Sequence, residues 1–139
     1  MITLTGDGIV LTGLRFADAA DKQPDNSAFG EVRRWLDIYF SGLEPGFMPP
    51  LKPQGTEFQK RVWREVLKIP YGQTVSYGEV ARRVGCRSAQ AVGGAVGRNP
   101  IAVIIPCHRV VGSDGSLTGY AYGLDCKRQL LQLEKFGVF

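Results

Sequence analysis

Apolar and polar residues alternate along the first part of the chain, which predicts a β-hairpin. The alternation covers residues 2–16 and is interrupted at Gly6-Asp7-Gly8, a sequence suited to a tight turn. An isolated hairpin is not stable in water, so we expect it to pack on another element of the same chain.

The spacing of the apolar residues becomes helical after a polar, turn-rich stretch. The residues that recur at this spacing are Phe29, Val32, Trp35, Leu36 and Tyr39. We expect a helix here that is capped by Asn26 or Ser27 and is ended by Gly42.

A proline-rich segment at residues 45–53 has the composition of a semi-rigid linker. It divides the chain into an N-terminal subdomain with its linker, residues 1–53, and a second domain, residues 54–139. The first unit is predicted to combine a hairpin with a helix and the second to be mainly helical. The predicted fold class is therefore α+β.

The second domain contains four predicted helices, most of them with a capping residue at the start. Their spans are 57–67 after Thr56, 77–84 after Ser76 and before Gly85, a third from Arg87 or Ser88 to about Gly97, and a fourth that is capped by Asp125 and runs to Glu134. A tight turn separates the second from the third, which predicts a helix-turn-helix. After the third, the apolar residues 101–105 predict a buried strand that leads to Cys107.

The third helix is rich in small residues and includes the adjacent Gly93 and Gly94. Glycine costs about 1 kcal/mol relative to alanine inside a helix, so something is expected to approach this backbone closely. Two interpretations remain open at this point. The helix packs tightly against another helix, or it is slender because it enters a groove of DNA.

Net charge, apolar runs and the numbers of cysteines and histidines limit the classes of function that the chain can have. A formal net charge of +4 over 139 residues favours polyanions only weakly. No apolar run approaches the roughly 20 residues needed to cross a bilayer, and the N-terminus lacks a secretory pattern, so we expect a cytoplasmic protein without a membrane partner. Three cysteines without CxxC spacing and a single histidine argue against a disulfide scaffold and against a metal site.

Cys107 is the candidate for covalent chemistry. It is followed by His108 and Arg109, and positive potential beside a cysteine favours thiolate over thiol. The alternative is an inert core thiol, because cysteine is among the most buried residue types. We assign that inert role to Cys86 and Cys126, which lack such neighbours.

Cysteine hydrolases also pair a cysteine with a histidine, so acyl transfer is a second interpretation. Consecutive residues of an extended chain point in opposite directions, so His108 reaches the Cys107 sulfur only through a local turn or a bridging water. No second, distant histidine is available. The sequence therefore favours a single activation of one thiolate over repeated hydrolysis.

A set of short segments carries a recognisable pattern. They are Gly55-Thr56-Glu57-Phe58-Gln59, Ile69-Pro70-Tyr71-Gly72, Val75-Ser76-Tyr77, Ala91-Val92-Gly93-Gly94-Ala95-Val96, Arg98-Asn99-Pro100, Ile105-Pro106-Cys107-His108-Arg109-Val110-Val111 and Leu117-Thr118-Gly119-Tyr120-Ala121. From Gly55 to Glu134 the chain closely resembles methylated-DNA–protein-cysteine methyltransferases, also called O6-alkylguanine-DNA alkyltransferases. Residues 1–53 resemble the N-terminal, ribonuclease H-like subdomain of that family only loosely. We expect a trimmed subdomain without the usual first strand before Ile2.

The resemblance implies direct reversal of DNA damage. The alkyl group of O6-alkylguanine, with O4-alkylthymine as a further candidate, moves irreversibly to the Cys107 thiolate, and no cofactor is required. His108, oriented by Glu134, removes the thiol proton through water. Asn99 fixes the turn between the recognition helix and the active-site strand, and Tyr77 lies near the flipped guanine and protonates it at N3.

The resemblance also implies binding residues. Backbone groups of Cys107, Val110 and Ala121 read the guanine edge, and Tyr120 forms a wall of the pocket. The partner is double-stranded DNA, whose minor groove receives the recognition helix of a winged helix-turn-helix-like motif. The expected DNA-binding residues are Ser76, Arg87, Ala89, Gln90, Ala91, Gly93 and Arg98. We expect a monomer, with cooperative binding on DNA left open.

Two residues depart from the family pattern. Gln90 stands where many members insert an arginine to replace the flipped base, which predicts weaker and more salt-tolerant DNA binding. Tyr122 stands where many relatives have glycine, and it either narrows the pocket in favour of methyl groups or only covers its surface. The alternative function is a non-catalytic protein of the same fold that binds alkylated DNA. Cys107 argues against that alternative.

Overall fold

The computed structural model describes residues 2–6, 11–16 and 28–138. The elements in chain order are β1 (Ile2–Gly6), β2 (Leu11–Phe16), α1 (Ala28–Phe40), α2 (Glu57–Leu67), β3 (Val75–Ser76), α3 (Tyr77–Arg83), α4 (Ala89–Gly97), a 3-10 helix (Cys107–Arg109), β4 (Val110–Val111) and α5 (Leu124–Phe136). This mixture of helices with small sheets agrees with the coarse α+β prediction. Within the described ranges, no helix combines the length and the apolar character needed to span a membrane.

The two N-terminal strands form the predicted hairpin pairing. They run antiparallel with Ile2 opposite Phe16, and the register shifts between Thr5 and Gly6. The predicted turn residues Asp7-Gly8 lie outside the described residues, as do the predicted caps Asn26 and Ser27. Helix α1 ends at Phe40, and Gly42 follows with a φ of 91°, a conformation that favours glycine.

Side-chain caps begin three of the helices of the second half, as the sequence predicts. Thr56 and Gln59 bind each other's backbone N–H groups in a capping box at α2. Ser76 accepts from the backbone of the third residue after it at the start of α3, and Ser88 does the same at α4. The local sequence therefore determines where these helices start.

The predicted cap of α5 is wrong, and the helix starts earlier than predicted. The helix begins at Leu124, after Gly123 with a φ of 95°, and no side chain caps it. Asp125 lies in the first turn and pairs with the exposed Arg128 at 2.8 Å. A glycine that redirects the backbone thus replaces the side-chain cap. The helix also continues past Glu134 to Phe136, and Gly137 with a φ of 77° follows it.

The core joins α1 to the helices of the second half. Buried residues of α1 belong to the same apolar cluster as Val62, Trp63 and Val66 of α2. The Trp63 indole donates to the Ala95 carbonyl of α4 at 2.9 Å, which satisfies its polar group inside the core. Helix α1 is therefore packed directly against the part of the chain that holds Cys107.

The predicted strand at residues 101–105 is also wrong. These residues are buried, but Ile101 makes only a single bridge and residues 102–104 form a turn. Ile104 N donates to Ala102 O at 2.8 Å, and Val103 between them has a φ of 70°. The strand lies instead at Val110–Val111, which pairs in parallel with β3. Burial alone accounts for the apolar sequence, because a compact turn can be as buried as a strand.

Candidate active site

Cys107 is buried at the start of the 3-10 helix, with 1% of its surface exposed. Such a helix has three residues per turn, so consecutive side chains point about 120° apart rather than to opposite sides. The extended geometry expected for Cys107 and His108 is therefore replaced by a local turn. This turn brings the side chains that follow Cys107 towards α5.

The carboxylate of Glu134, on α5, is the centre of a buried hydrogen-bond network. Oε2 accepts from His108 Nε2 at 2.5 Å, from Tyr39 Oη at 2.6 Å and from Arg109 Nη2 at 3.2 Å. Oε1 accepts from Arg109 Nε at 2.8 Å and from the Gly72 backbone N–H at 3.0 Å. Both oxygens of the carboxylate are thus fully occupied by donors.

This network sets the charge states of Glu134 and His108. Burial alone would raise the pKa of Glu134, but the hydrogen bonds and charges of His108 and Arg109 outweigh it and lower the pKa to about 2. Burial also lowers the pKa of His108. The pair is therefore a neutral imidazole beside an ionised carboxylate at neutral pH.

The same contacts assign the tautomer of His108. Its Nε2 faces the carboxylate and must carry the proton, which leaves Nδ1 with a free lone pair. Nδ1 is buried and receives no hydrogen bond from any group in the described part of the chain. His108 is therefore able to accept one proton at Nδ1.

The Cys107 thiol is protonated at rest. Burial raises its pKa to about 12, and a hydrogen bond to Asn99 and the positive charge of Lys127 offset this only in part. The expectation that Arg109 favours the thiolate is wrong, because its guanidinium binds Glu134 and the Ile69 carbonyl instead. Thiolate formation at this site requires a base.

Asn99 closes the turn that carries Cys107. Its Nδ2 donates to Ile105 O at 2.9 Å, and its Oδ1 accepts from Ile101 N at 2.9 Å. One side chain therefore ties the segment after α4 to the residues just before Cys107. The resemblance implies a role of this kind, and the geometry is compatible with it.

Lys127 is a buried residue of the site that sequence reasoning missed. Its Nζ donates to Val110 O at 2.5 Å and to Thr118 O at 3.0 Å, and it lies 3.4 Å from the Tyr77 hydroxyl. Burial lowers its pKa to about 8. The signal was present in the spacing, because Lys127, Leu130 and Glu134 recur on the buried face of α5.

A groove of about 810 Å³ lies between Tyr77 of α3, the glycines of α4 and the loop around Tyr120. A second cavity of only about 10 Å³ reaches Cys107 and is lined by Asn99 and Tyr122 among others. Tyr120 and Ala121 line both spaces. The loop of residues 118–122 therefore separates the thiol from the groove, and the Tyr77 hydroxyl holds this loop through Thr118 O at 2.9 Å.

The glycines of α4 border open space. A side-chain atom added at Gly93 or Gly94 would meet nothing within 4 Å in the described structure. Tight helix packing therefore does not explain these glycines, and the interpretation of a slender exposed helix remains.

The other predicted binding residues lie at the two ends of α4 and near the thiol. Exposed residues at or near α4 are Arg87, Ala89, Gln90, Ala91 and Arg98. Val110 is buried, its N–H donates to Cys107 O, and its carbonyl accepts from Lys127. A carbonyl oxygen has two lone pairs, so one remains for another donor.

Family models match both parts of the chain. Residues 1–53 match the ribonuclease-like domain of 6-O-methylguanine DNA methyltransferase, and residues 57–136 match its DNA binding domain. The methylated-DNA–protein-cysteine methyltransferase of Mycobacterium leprae is 49% identical over 144 residues, which cover 99% of this chain and 87% of that protein.

Solved structures with the same fold include two bound to DNA. Mycobacterium tuberculosis OGT in complex with DNA has a TM-score of 0.89 and 48% identity, with 99% of this chain and 88% of that chain covered. S. pombe Atl1 in complex with damaged DNA containing O6-carboxymethylguanine has a TM-score of 0.52 and 32% identity, with 58% and 78% covered.

The free energy of unfolding is expected to fall as the pH is lowered from 7 to 5. His108 is the only histidine, and because its folded pKa lies below the ordinary value of 6.5, the unfolded chain takes up a proton first. The stability that the neutral buried imidazole contributes is complete above pH 6.5. Below that pH the free energy of unfolding falls, with a limiting slope of about 1.4 kcal/mol per pH unit. Urea denaturation at a series of pH values measures the slope, and His108→Gln should abolish it. A constant free energy in the parent protein would contradict the neutral buried imidazole.

Proposed function

The chain belongs to the methylated-DNA–protein-cysteine methyltransferase family, and from this premise we propose that Cys107 is the residue that takes the alkyl group from O6-alkylguanine. The activity is DNA repair by transfer of an alkyl group from DNA to the protein. The observation that carries the assignment of Cys107 is the neutral His108, held by the ionised Glu134 next to a buried thiol.

Proton removal is the first step. A water molecule passes the thiol proton of Cys107 to Nδ1 of His108, the ring nitrogen that has no partner in the described part of the protein. The imidazolium that forms lies against the carboxylate of Glu134, which stabilises it without accepting its proton. Because the pKa of the buried thiol is high, the thiolate forms only when a substrate is bound whose alkyl carbon the sulfur can attack.

Alkyl transfer is an in-line displacement. A bond forms between the Cys107 sulfur and the alkyl carbon while the bond from that carbon to O6 breaks, and the electron pair of the broken bond stays on the purine. A proton from the Tyr77 hydroxyl, delivered at N3, neutralises the purine as it leaves. The product is a thioether without a carbonyl that water could attack, so each molecule reacts once.

Substrate entry requires movement of the loop at residues 118–122. The cavity at Cys107 holds about 10 Å³, far less than a purine needs, whereas the adjoining groove holds about 810 Å³. When the loop moves outward, Tyr120 forms a wall of the widened pocket, and backbone groups of Val110 and Ala121 become available to the guanine edge.

DNA binding places α4 in the minor groove. We assign α3 and α4 to a winged helix-turn-helix-like unit, supported by the match to the family's DNA binding domain. The exposed Ala89 and Ala91 and the half-buried Gly93 allow close approach of the duplex, and Arg87 and Arg98 contact phosphates. Extrusion of the damaged base costs a few kcal/mol, which these contacts offset. We also assign a DNA contact to Ser76, which caps the N-terminus of α3.

The two parts of the chain correspond to two functional units. We divide them at residues 53 and 54 into a ribonuclease H-like subdomain and the alkyltransferase domain, which the matched ranges of the family models support. All proposed catalytic residues come from one chain, which supports a monomer as the working unit.

Incubation with duplex DNA that contains O6-methylguanine is expected to add one methyl group to Cys107, detected by mass spectrometry of the intact protein and its peptides. Cys107→Ser should abolish the adduct, whereas Cys126→Ser, which changes the half-buried thiol of α5, should leave it unchanged. Binding without any adduct would support the non-catalytic alternative. Turnover with the free thiol restored would support hydrolysis.

Gln90→Ala is expected to slow repair of duplex DNA about tenfold, because no side chain then fills the space that the flipped base leaves. Gln90 is exposed in the first turn of α4 and borders the groove. The rate with free O6-benzylguanine, which needs no base flipping, is the control and should not change. Equal rates of the variant and the parent on duplex DNA would remove this role.

Tyr122→Gly is expected to raise the reaction rate with O6-benzylguanine relative to that with O6-methylguanine. The Tyr122 ring packs edge-on against Tyr120 at 5.8 Å and borders the small cavity at Cys107, so its removal leaves room for a bulky group. The ratio of the two rates in the variant and in the parent measures the effect. An unchanged ratio would show that Tyr122 only covers the surface.

A further inference from the structure

Tyr39 connects the N-terminal helix α1 to the candidate active site. Its side chain is fully buried, and its hydroxyl donates to Glu134 Oε2 at 2.6 Å across 95 positions of sequence. The ring stacks on Trp35 at 5.2 Å, so α1 holds the hydroxyl in place. Through this contact, α1 reaches the proposed catalytic network.

The hydroxyl and the imidazole point at the same carboxylate oxygen. Tyr39 Oη lies 3.3 Å from His108 Nε2, and both groups lie within hydrogen-bond distance of Oε2 of Glu134. Burial and the negative charge of Glu134 raise the pKa of Tyr39, so its hydroxyl stays protonated and acts as a donor to the carboxylate. Glu134 therefore shares its charge between the imidazole and this hydroxyl.

We propose that Tyr39 is a positioning residue, which holds Glu134 and His108 in the arrangement that receives the proton of Cys107; this inference rests on the proposed function. A hydrogen bond to a carboxylate withdraws part of its negative charge. Without the Tyr39 hydroxyl, Oε2 attracts the imidazole proton more strongly and stabilises the imidazolium. His108 then rests in its charged form up to a higher pH, and a charged imidazole cannot accept the thiol proton.

Other groups that face the pair remain in place when Tyr39 changes. They are Arg109 of the 3-10 helix, Lys127 of α5, and Tyr71 with the Gly72 N–H from the turn after α2. Arg109 keeps both of its contacts to the carboxylate, so Glu134 remains ionised. The change is thus confined to the hydrogen bond from α1.

Tyr71 provides a matched control. Its ring packs edge-on against Tyr39 at 6.1 Å and lies beneath the Arg109 guanidinium at 5.6 Å. Its hydroxyl is buried and has no hydrogen-bond partner among the residues that the structure describes. Tyr71→Phe and Tyr39→Phe therefore remove the same atom from neighbouring positions, but only the second removes a bond to Glu134.

The test measures the single-turnover rate of alkyl transfer from O6-methylguanine duplex DNA against pH. Tyr39→Phe is expected to move the acidic limb of the profile upward by about one pH unit. This is the pKa shift expected from the loss of one hydrogen bond to a charged group. The rate should fall about tenfold at pH values on that limb and much less above it. Tyr71→Phe should follow the parent. A profile for Tyr39→Phe that matches the parent, or an equal shift in both variants, would overturn the proposal.

A second measurement does not depend on alkyl transfer. The chain has one histidine, so the imidazole ¹⁵N signals belong to His108 without further assignment. We expect Nε2 to carry the proton in the parent and the titration midpoint to rise in Tyr39→Phe but not in Tyr71→Phe. An unchanged midpoint would overturn the role of Tyr39 even if Cys107 is alkylated. If the midpoint rises in Tyr39→Phe but the parent protein transfers no alkyl group, the proposed function is refuted, whereas the effect of Tyr39 on His108 is supported.

Discussion

Glu134 brings a negative charge into the interior, and the arrangement around Cys107 depends on the donors that surround it. An unpaired buried carboxylate is costly, and removal of one partner from a buried ion pair typically costs about 3–5 kcal/mol. The donors come from α1, from the turn after α2 and from the 3-10 helix. Because each must reach the same two oxygens, a requirement of stability also sets the orientation of His108. Folding and chemistry are thus coupled through one side chain.

A second anchor acts on the other side of the thiol. Asn99 binds the backbone at both ends of the buried turn that precedes Pro106. Glu134 holds His108 and Arg109, the two residues that follow Cys107. Cys107 therefore lies between two fixed points, in a segment that is neither strand nor α-helix. Such precision favours a displacement reaction, which is sensitive to the line of approach of the reacting atoms. The loop at residues 118–122 is held from outside by the Tyr77 hydroxyl, which contacts Thr118 O and Gly119 O, and by Lys127, which donates to Thr118 O.

The sequence predicts the local features of this fold and misses those that depend on distant contacts. Thr56, Ser76 and Ser88 were identifiable as caps because a cap binds backbone only three residues away. The buried turn was mistaken for a strand, since burial gives both the same apolar sequence. Cys107, His108 and Glu134 emerged from a motif and a resemblance, but the partner of Arg109 lies 25 positions away and that of Tyr39 lies 95 positions away. No periodicity within one element reports such pairs.

The burial of Cys107 has a consequence for how long the protein survives unused. Peroxides and other oxidants attack thiolates far faster than thiols. A thiol whose pKa is about 12, with 1% of its surface exposed, is a poor target for them. For a protein that is consumed by a single reaction, a readily ionised cysteine would be lost to oxidation before any lesion was met. The small cavity at Cys107 therefore protects the thiol from oxidation, so that the protein remains able to react when a lesion is bound.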